Sequence, residues 1–344
     1  MKDKANGIAV CYHPATVVII DDNAAYLDKL TLMLDLTKAY PKRFVYPKEA
    51  LEFLQNQPYR PFTQRCLLRP EETQFDHRNI DIDVSLIRNE LYNPQRFDET
   101  IVVIVDYSMP SMNGLDLCKQ LRDKLYKIIL LTGEAGESKA VQAFNEGIID
   151  KFIRKDSANF AETINATIVE LQHDYFYGLS RIIIDALTKD PEHPMVNWLD
   201  EPVFFDLFNK ICISNKISEY YLTDAFGSFI LLNDAGQPSW LAVKSEEEML
   251  AAYEVVENAD ISFPGNVLTA MKQNEKVLYL HHEGGLSDNI EEVTQALHPA
   301  KKLTGRKGDY FYSFIDNPQA YRLETDKIVS YKVYRQLQAK KLSK

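Results

Sequence analysis

Cysteine is scarce: the 344 residues hold 4, and Cys11, Cys66, Cys118 and Cys212 fall without any paired spacing. That pattern excludes a zinc ligand set and a disulfide framework, and leaves reduced thiols. Long apolar runs are missing too. Nothing approaches the roughly 20 residues that cross a bilayer, and Ile8 to Tyr12 is too brief for a signal-peptide core. No membrane association is expected, and the expected location is the cytoplasm. Positive charge is in short supply: 39 Lys and Arg against 50 Asp and Glu give a net charge of -11 and a pI near 5.2. Duplex DNA is held mainly by cations on its phosphates, and no helix in the pattern carries a cationic, base-reading face, so DNA binding is not expected. What remains, 45% hydrophobic and 26% charged residues, is the make-up of a globular protein. The length exceeds what one core usually supports and predicts two domains, 1–178 and 179–344.

The first half alternates apolar runs with amphipathic segments. Runs at Thr16 to Ile20, Arg43 to Tyr46, Ile101 to Asp106, Lys127 to Leu131 and Lys151 to Arg154 predict five strands. Between and after them, Leu27, Leu30 and Leu34, then Ala50, Leu51 and Leu54, then Leu115, Cys118, Leu121 and Leu125, then Val141 and Phe144, then Phe160, Ile164, Ile168, Leu171 and Tyr175 predict five helices. Such alternation specifies a doubly wound, flavodoxin-like α/β fold with a five-stranded parallel sheet. Ile101 to Val105 has no polar alternation, so this strand is buried on both faces. Its final carboxylate, Asp106, then emerges at the C-terminal edge, where open α/β sheets bind ligands. Asp21 and Asp22 end the first strand at the same edge, Thr132 follows the fourth, and Lys155 follows the fifth. Three carboxylates this close repel one another unless a cation sits among them, and Mg2+ is the cation that carboxylate and carbonyl oxygens suit.

Asp21, Asp22, Asp106, Thr132 and Lys155, in this order on these elements, resemble the receiver domain of the response regulators of two-component signalling. The resemblance implies that Asp106 is the phosphoacceptor, taking a phosphoryl group from a sensor histidine kinase or a phosphotransfer protein. It implies Asp22 and Asp106 as direct Mg2+ ligands, Asp21 as a water-mediated one, and the backbone carbonyl of Ser108 as a further protein contact. Lys155 and Thr132 would meet the phosphoryl oxygens, and Phe152 stands at the aromatic switch position. Such a protein is not an enzyme beyond its own phosphorylation and dephosphorylation. Met109, Pro110 and Gly114 shape the turn after the acceptor, with glycine tolerating positive φ. Glu134 and Ser108 sit where receivers tune phosphorylation lifetime, and Asp156 stands where proline usually follows the lysine. Plainer readings exist: Asp21-Asp22-Asn23 as a helix cap, Thr132-Gly133 as a strand-ending turn, or a pseudo-receiver that serves only as a scaffold.

One departure is large. About 84 positions separate Asp22 from Asp106 where the path needs about 40 to 45, so some 40 residues between about Gln55 and Thr100 are extra. Ile82, Leu86, Ile87, Leu91 and Tyr92 predict a helix in this insertion, placed before the third strand and contributing to a homodimer. After Gly178 the pattern becomes that of a smaller α+β output domain: a helix over Trp198 to Ile213, a hairpin about Asn233 to Gly236, and further short strands and helices. Lys301, Lys302, Arg306 and Lys307 form its cationic cluster, a solvated loop or an anion, nucleotide or RNA contact. His281-His282-Glu283 is read as a solvated loop. The layout as a whole resembles the LqsR-type quorum-sensing response regulators of Legionella.

Overall fold

The computed structural model describes residues 7–57, 62, 65, 67–68, 81–82, 84–122, 125–133, 136–187, 198–224, 226–259, 263–278, 289–318 and 323–342. In chain order the strands and helices of the first half are β1 (Cys11–Tyr12), β2 (Ala15–Ile20), α1 (Ala24–Met33), β3 (Ala39–Phe44), α2 (Pro47–Gln55), β4 (Leu67–Leu68), β5 (Asp81–Ile82), α3 (Val84–Asn89), β6 (Thr100–Asp106), α4 (Gly114–Gln120), β7 (Lys127–Thr132), α5 (Glu137–Asn145), β8 (Lys151–Arg154) and α6 (Phe160–Leu187). The second half adds α7 (Pro202–Ser214), β9 (Ile217–Leu222), β10 (Phe229–Asn233), β11 (Pro238–Ser245), α8 (Glu246–Glu257), α9 (Gly265–Lys272), β12 (Lys276–Leu278), α10 (Ile290–Gln295), β13 (Leu297–Pro299), β14 (Lys301–Thr304), β15 (Asp309–Asp316) and α11 (Tyr331–Leu342).

The predicted parallel sheet is present, ordered β3-β2-β6-β7-β8. Its register aligns Val17 to Ile20 with Val102 to Val105, and Val102 to Asp106 with Lys127 to Leu131. Val18, Ile20, Val103 and Val105 pack with Ala50 and Leu54 of α2, Leu117 and Cys118 of α4, and Ala140 and Ala143 of α5. Val17, Ile19, Val102 and Ile104 on the opposite face are equally buried, as are Leu27 and Leu30 of α1 and Ile164, Ile168 and Leu171 of α6. Covered on both faces, this sheet needs no polar alternation. The second strand runs over Ala39–Phe44, earlier than Arg43 to Tyr46. It is an edge strand and holds Pro41, so its sequence lacks the apolar run that marks the central strands. Leu125 lies beyond α4 and is exposed.

A single cut after residue 178 does not divide the chain. The receiver unit comprises Tyr12–Arg65, Pro94–Leu179 and Tyr331–Lys344, and the second unit Met1–Cys11, Cys66–Asn93 and Ser180–Ser330. The closing helix α11 thus belongs to the receiver unit. Its Tyr331 and Tyr334 rings lie 5.2 and 5.1 Å from that of Phe97, and the Tyr334 hydroxyl donates to Asp98 at 2.6 Å. Periodicity identifies the helix but not the body that its aromatic face will meet.

The second unit is built on the antiparallel strands β9-β10-β11-β15-β14. The Asn233 to Gly236 hairpin forms as expected, with Gly236 at φ 79° and Phe229 to Leu232 opposite Leu241 to Pro238. The helix expected from Trp198 begins at Pro202, whose fixed φ suits a first helical turn. Its Phe208 packs edge-on against Tyr220 and Phe229. A separate cluster joins Tyr253, Val256, Val267, Met271, Leu278, Val293 and Leu297 from α8, α9, β12, α10 and β13.

The insertion corrects the sequence reading. Ile82 lies on the two-residue strand β5, paired with Leu67, rather than on a helix. The helix is the short α3, followed by 3-10 turns at Glu90–Tyr92 and Pro94–Asp98. α3 packs against β9, and Ile87 and Leu91 are fully buried. Ile87 and Leu91 of the stripe are therefore not exposed as a self-association surface would be. Replacing Leu91 with Asp is expected to lower stability by about 3 kcal/mol or more, through a lost apolar side chain and a buried charge. A urea melt that leaves the midpoint unchanged would refute that packing role. His281-His282-Glu283 and Glu134 lie outside the described residues.

Candidate functional site

The parallel sheet delivers its acidic groups to one edge. β2 ends at Ile20, so Asp21 and Asp22 leave the sheet together, while Asp106 is the last residue of β6. Carboxylate oxygens of Asp21, Asp22 and Asp106 all lie within 4.8 Å of one another. Asp21 and Asp106 are buried and Asp22 is exposed. The helix-cap reading is met by Asn23 instead, whose side chain accepts from the Tyr26 amide at 3.1 Å. Asp21 in turn accepts from the Asn23 amide at 2.9 Å.

Lys155 bridges the two buried carboxylates, with Nζ 2.6 Å from Asp21 Oδ2 and 2.9 Å from Asp106 Oδ1. Its backbone amide donates to the Thr132 carbonyl at 3.0 Å, which fixes where the side chain starts. Burial pushes the Asp106 carboxyl up from its ordinary range; the Lys155 ammonium and the Ser108 amide oppose the shift, and the neighbouring Asp21 charge adds to it. Two buried carboxylates on one ammonium leave an excess of negative charge, so the donor set suits a small oxygen-seeking divalent cation.

The remaining predicted residues are placed as follows. Ser108 sits beside Asp106, its amide donating to Asp106 Oδ2 at 3.2 Å. Thr132 is fully buried, with its hydroxyl donating to the Gly133 carbonyl at 2.9 Å. Phe152 is partly buried against the sheet core, edge-on to Phe144 with centroids 6.4 Å apart. Gly114 has ordinary negative φ, contrary to the expectation of a left-handed turn. It is needed because a Cβ there would lie 2.0 Å from the Asp106 carbonyl oxygen. No cis peptide bond occurs among the described residues; Arg154 and Asp156 pair bidentately around Lys155 at 3.0 and 2.8 Å.

Two neighbours of the pocket escape the motif reading. Tyr26 of α1 lies under Lys155, with Nζ 4.0 Å from its ring centroid. Its only sequence signal is an aromatic in the first turn after Asp22. Gly136 closes on Thr132, where a Cβ would fall 2.3 Å from the hydroxyl oxygen and 2.9 Å from the Tyr107 ring. Nothing local in the sequence marks that approach.

In the cationic cluster of the second unit, the Lys302 side chain and the backbone amides of Arg306 and Lys307 have partners within the chain. Glu201, buried at the start of α7, accepts from the Arg306 and Lys307 amides at 3.1 Å each. Lys302 pairs with Asp309 at 2.6 Å. Lys301 and Lys302 are exposed on β14, an edge strand, where lysines discourage pairing with another sheet. The anion that the turn amides attract is thus the chain's own carboxylate.

A carboxylate at the end of a central parallel strand, a pair of carboxylates following the first strand and a lysine crossing between them define a receiver. Residues 81–166 match the family model of the response regulator receiver domain. The chain belongs to the response-regulator receiver family. It is 32% identical to the Legionella pneumophila response regulator LqsR, whose structure superposes with a TM-score of 0.77 over 96% of this chain and 95% of that one. Over 60 residues it is 38% identical to the chemotaxis protein CheY1 of Helicobacter pylori, covering 16% of this chain and 48% of that protein. Over 61 residues it is 34% identical to a CheY homolog of Campylobacter jejuni, covering 17% and 47%. The chain spans about half the length of these curated relatives. The family match begins beyond Asp21 and Asp22, which the insertion separates from the rest of the receiver.

Proposed function

We propose that the protein is a phosphoacceptor of a two-component or phosphorelay pathway, with Asp106 as the residue modified. The observation that carries this reading is the convergence of Asp21, Asp22, Asp106 and Lys155 into one pocket. An Asp106 carboxylate oxygen forms the new bond to phosphorus as the P–N bond to the donor's histidine breaks, its electron pair returning to the imidazole. Asp21, Asp22 and Asp106 would hold Mg2+, with the Ser108 carbonyl as a further contact taken from the family. Bound there, the ion supplies charge neutralisation at the phosphoryl oxygens. Lys155 turns from its carboxylate bridge to the phosphoryl group, and the Thr132 hydroxyl leaves the Gly133 carbonyl to donate to it. Phe152 follows as the switch. The partner is a sensor histidine kinase or phosphotransfer protein, acting in the cytoplasm, and phosphorylation changes homodimerisation or the contacts of the output unit. The layout shared with the Legionella regulator supports a quorum-sensing pathway, and the acidity of the chain supports an output other than DNA binding.

The test is intact mass measurement after incubation with a small-molecule phosphodonor and magnesium. One added phosphoryl group is expected on the wild type and none on Asp106→Asn or with chelator present. An unlabelled wild type would make the chain a pseudo-receiver scaffold. Sedimentation of labelled and unlabelled protein then reads the change in self-association.

A further inference from the structure

Tyr26 lies outside the five receiver positions, yet it touches the group on which the pocket turns. Its ring face carries the Lys155 ammonium at 4.0 Å from the centroid, on the same Nζ that meets Asp21 and Asp106. The capping bond from its amide to Asn23 fixes the backbone from which the ring projects. The phenol oxygen is buried and makes no hydrogen bond among the described residues, so no polar contact of its own accounts for where the ring sits. An aromatic face attracts a cation through its quadrupole, more strongly where water is excluded, and leaves it free to slide as a hydrogen bond would not. Lys155 has to satisfy two carboxylates at rest and a phosphoryl group afterwards, which is a task for such a support.

Building on the phosphoacceptor reading, we propose that Tyr26 is a positioning residue for Lys155, holding its ammonium over the acidic pocket through the face of its ring. The hydroxyl takes no part. Tyr26→Phe, which keeps the ring, therefore rescues what Tyr26→Leu loses.

Two measurements on the full chain test this. In protein labelled with 13C at lysine, with no phosphodonor present, the Lys155 ε-methylene should show an upfield ring-current displacement, assigned by its absence in Lys155→Arg. The displacement is expected in the wild type and in Tyr26→Phe, and is expected to vanish in Tyr26→Leu. The rate of labelling by a small-molecule phosphodonor with magnesium should stay within about twofold in Tyr26→Phe and fall about five- to tenfold in Tyr26→Leu. Tyr26→Met, which restores volume without a ring, repeats the test should leucine unsettle the fold. The proposal is overturned if Tyr26→Leu keeps the wild-type displacement, if it loses the displacement with an unchanged rate, or if Tyr26→Phe loses as much as Tyr26→Leu. A wild type that shows the displacement but accepts no phosphoryl group overturns the phosphoacceptor reading and leaves the positioning of Lys155 standing.

Discussion

Replacing Lys155 with methionine is expected to lower the stability of the receiver by about 3 kcal/mol at neutral pH, the range found when one partner of a buried ion pair is removed. The side chain stands between two carboxylates that are almost entirely withdrawn from water, so its loss leaves both uncompensated. The deficit should depend on pH in a definite direction. Burial already lifts the Asp106 carboxyl above its ordinary 3.8, and Lys155 is the principal influence holding it down. A carboxyl with a raised folded pKa contributes stability below its unfolded value and loses it as pH rises through the folded value. Removing Lys155 lifts that folded value further, so the gap between variant and wild type should be small near about pH 4 and widen toward neutrality. Magnesium should recover part of it, because a cation binding only the folded pocket stabilises by mass action. Urea melts across this pH range check the sign. A gap that stays constant or narrows as pH rises would mean that Lys155 is not the counter-charge of ionised Asp106.

Gly114→Ala is expected to cost about 3 kcal/mol and to abolish labelling of Asp106. An added Cβ would meet the Asp106 carbonyl oxygen at 2.0 Å, the Asp106 carbonyl carbon at 2.9 Å and the Tyr107 Cα at 3.1 Å. All three are backbone atoms, so no rotamer change relieves the overlap. The strain falls on the end of β6 and the start of α4, which together position Asp106. Gly178→Ala is the control, since a Cβ there meets nothing within 4 Å and the position is helical. It should stabilise by about 0.5 to 1 kcal/mol through reduced freedom of the unfolded chain. Paired thermal melts and mass spectra separate the two. Near-neutral behaviour of Gly114→Ala would show that the turn relaxes without disturbing the pocket.

The central strands were legible because burial on both faces imposes an unbroken β-branched run, as in Thr16 to Ile20 and Ile101 to Val105. The edge strand β3 was placed late, because an edge tolerates Pro41 and two exposed charged residues and carries no such run. Strands β9 and β14 escaped for a similar reason. Ile217–Leu222 mixes Ser218 and Glu219 into a buried strand, and Lys301–Thr304 is a charged edge. The amphipathic stripe of the insertion was correctly seen as needing cover, but a stripe does not say what covers it. Leu91 is fully buried in the folded chain.

Sequence alone determined the order of strands and helices in the receiver and the residues at its C-terminal edge. Periodicity and strand-end position are local properties, and in a parallel sheet they fix which side chains reach the edge. Tertiary structure decided what depends on residues far apart in the chain. Tyr26 meets Lys155 across 129 positions, Glu201 takes the amides of Arg306 and Lys307, and Tyr331 and Tyr334 return to Phe97. Each of these contacts joins segments whose local patterns are complete without the other, so only packing of the folded chain could select the partner.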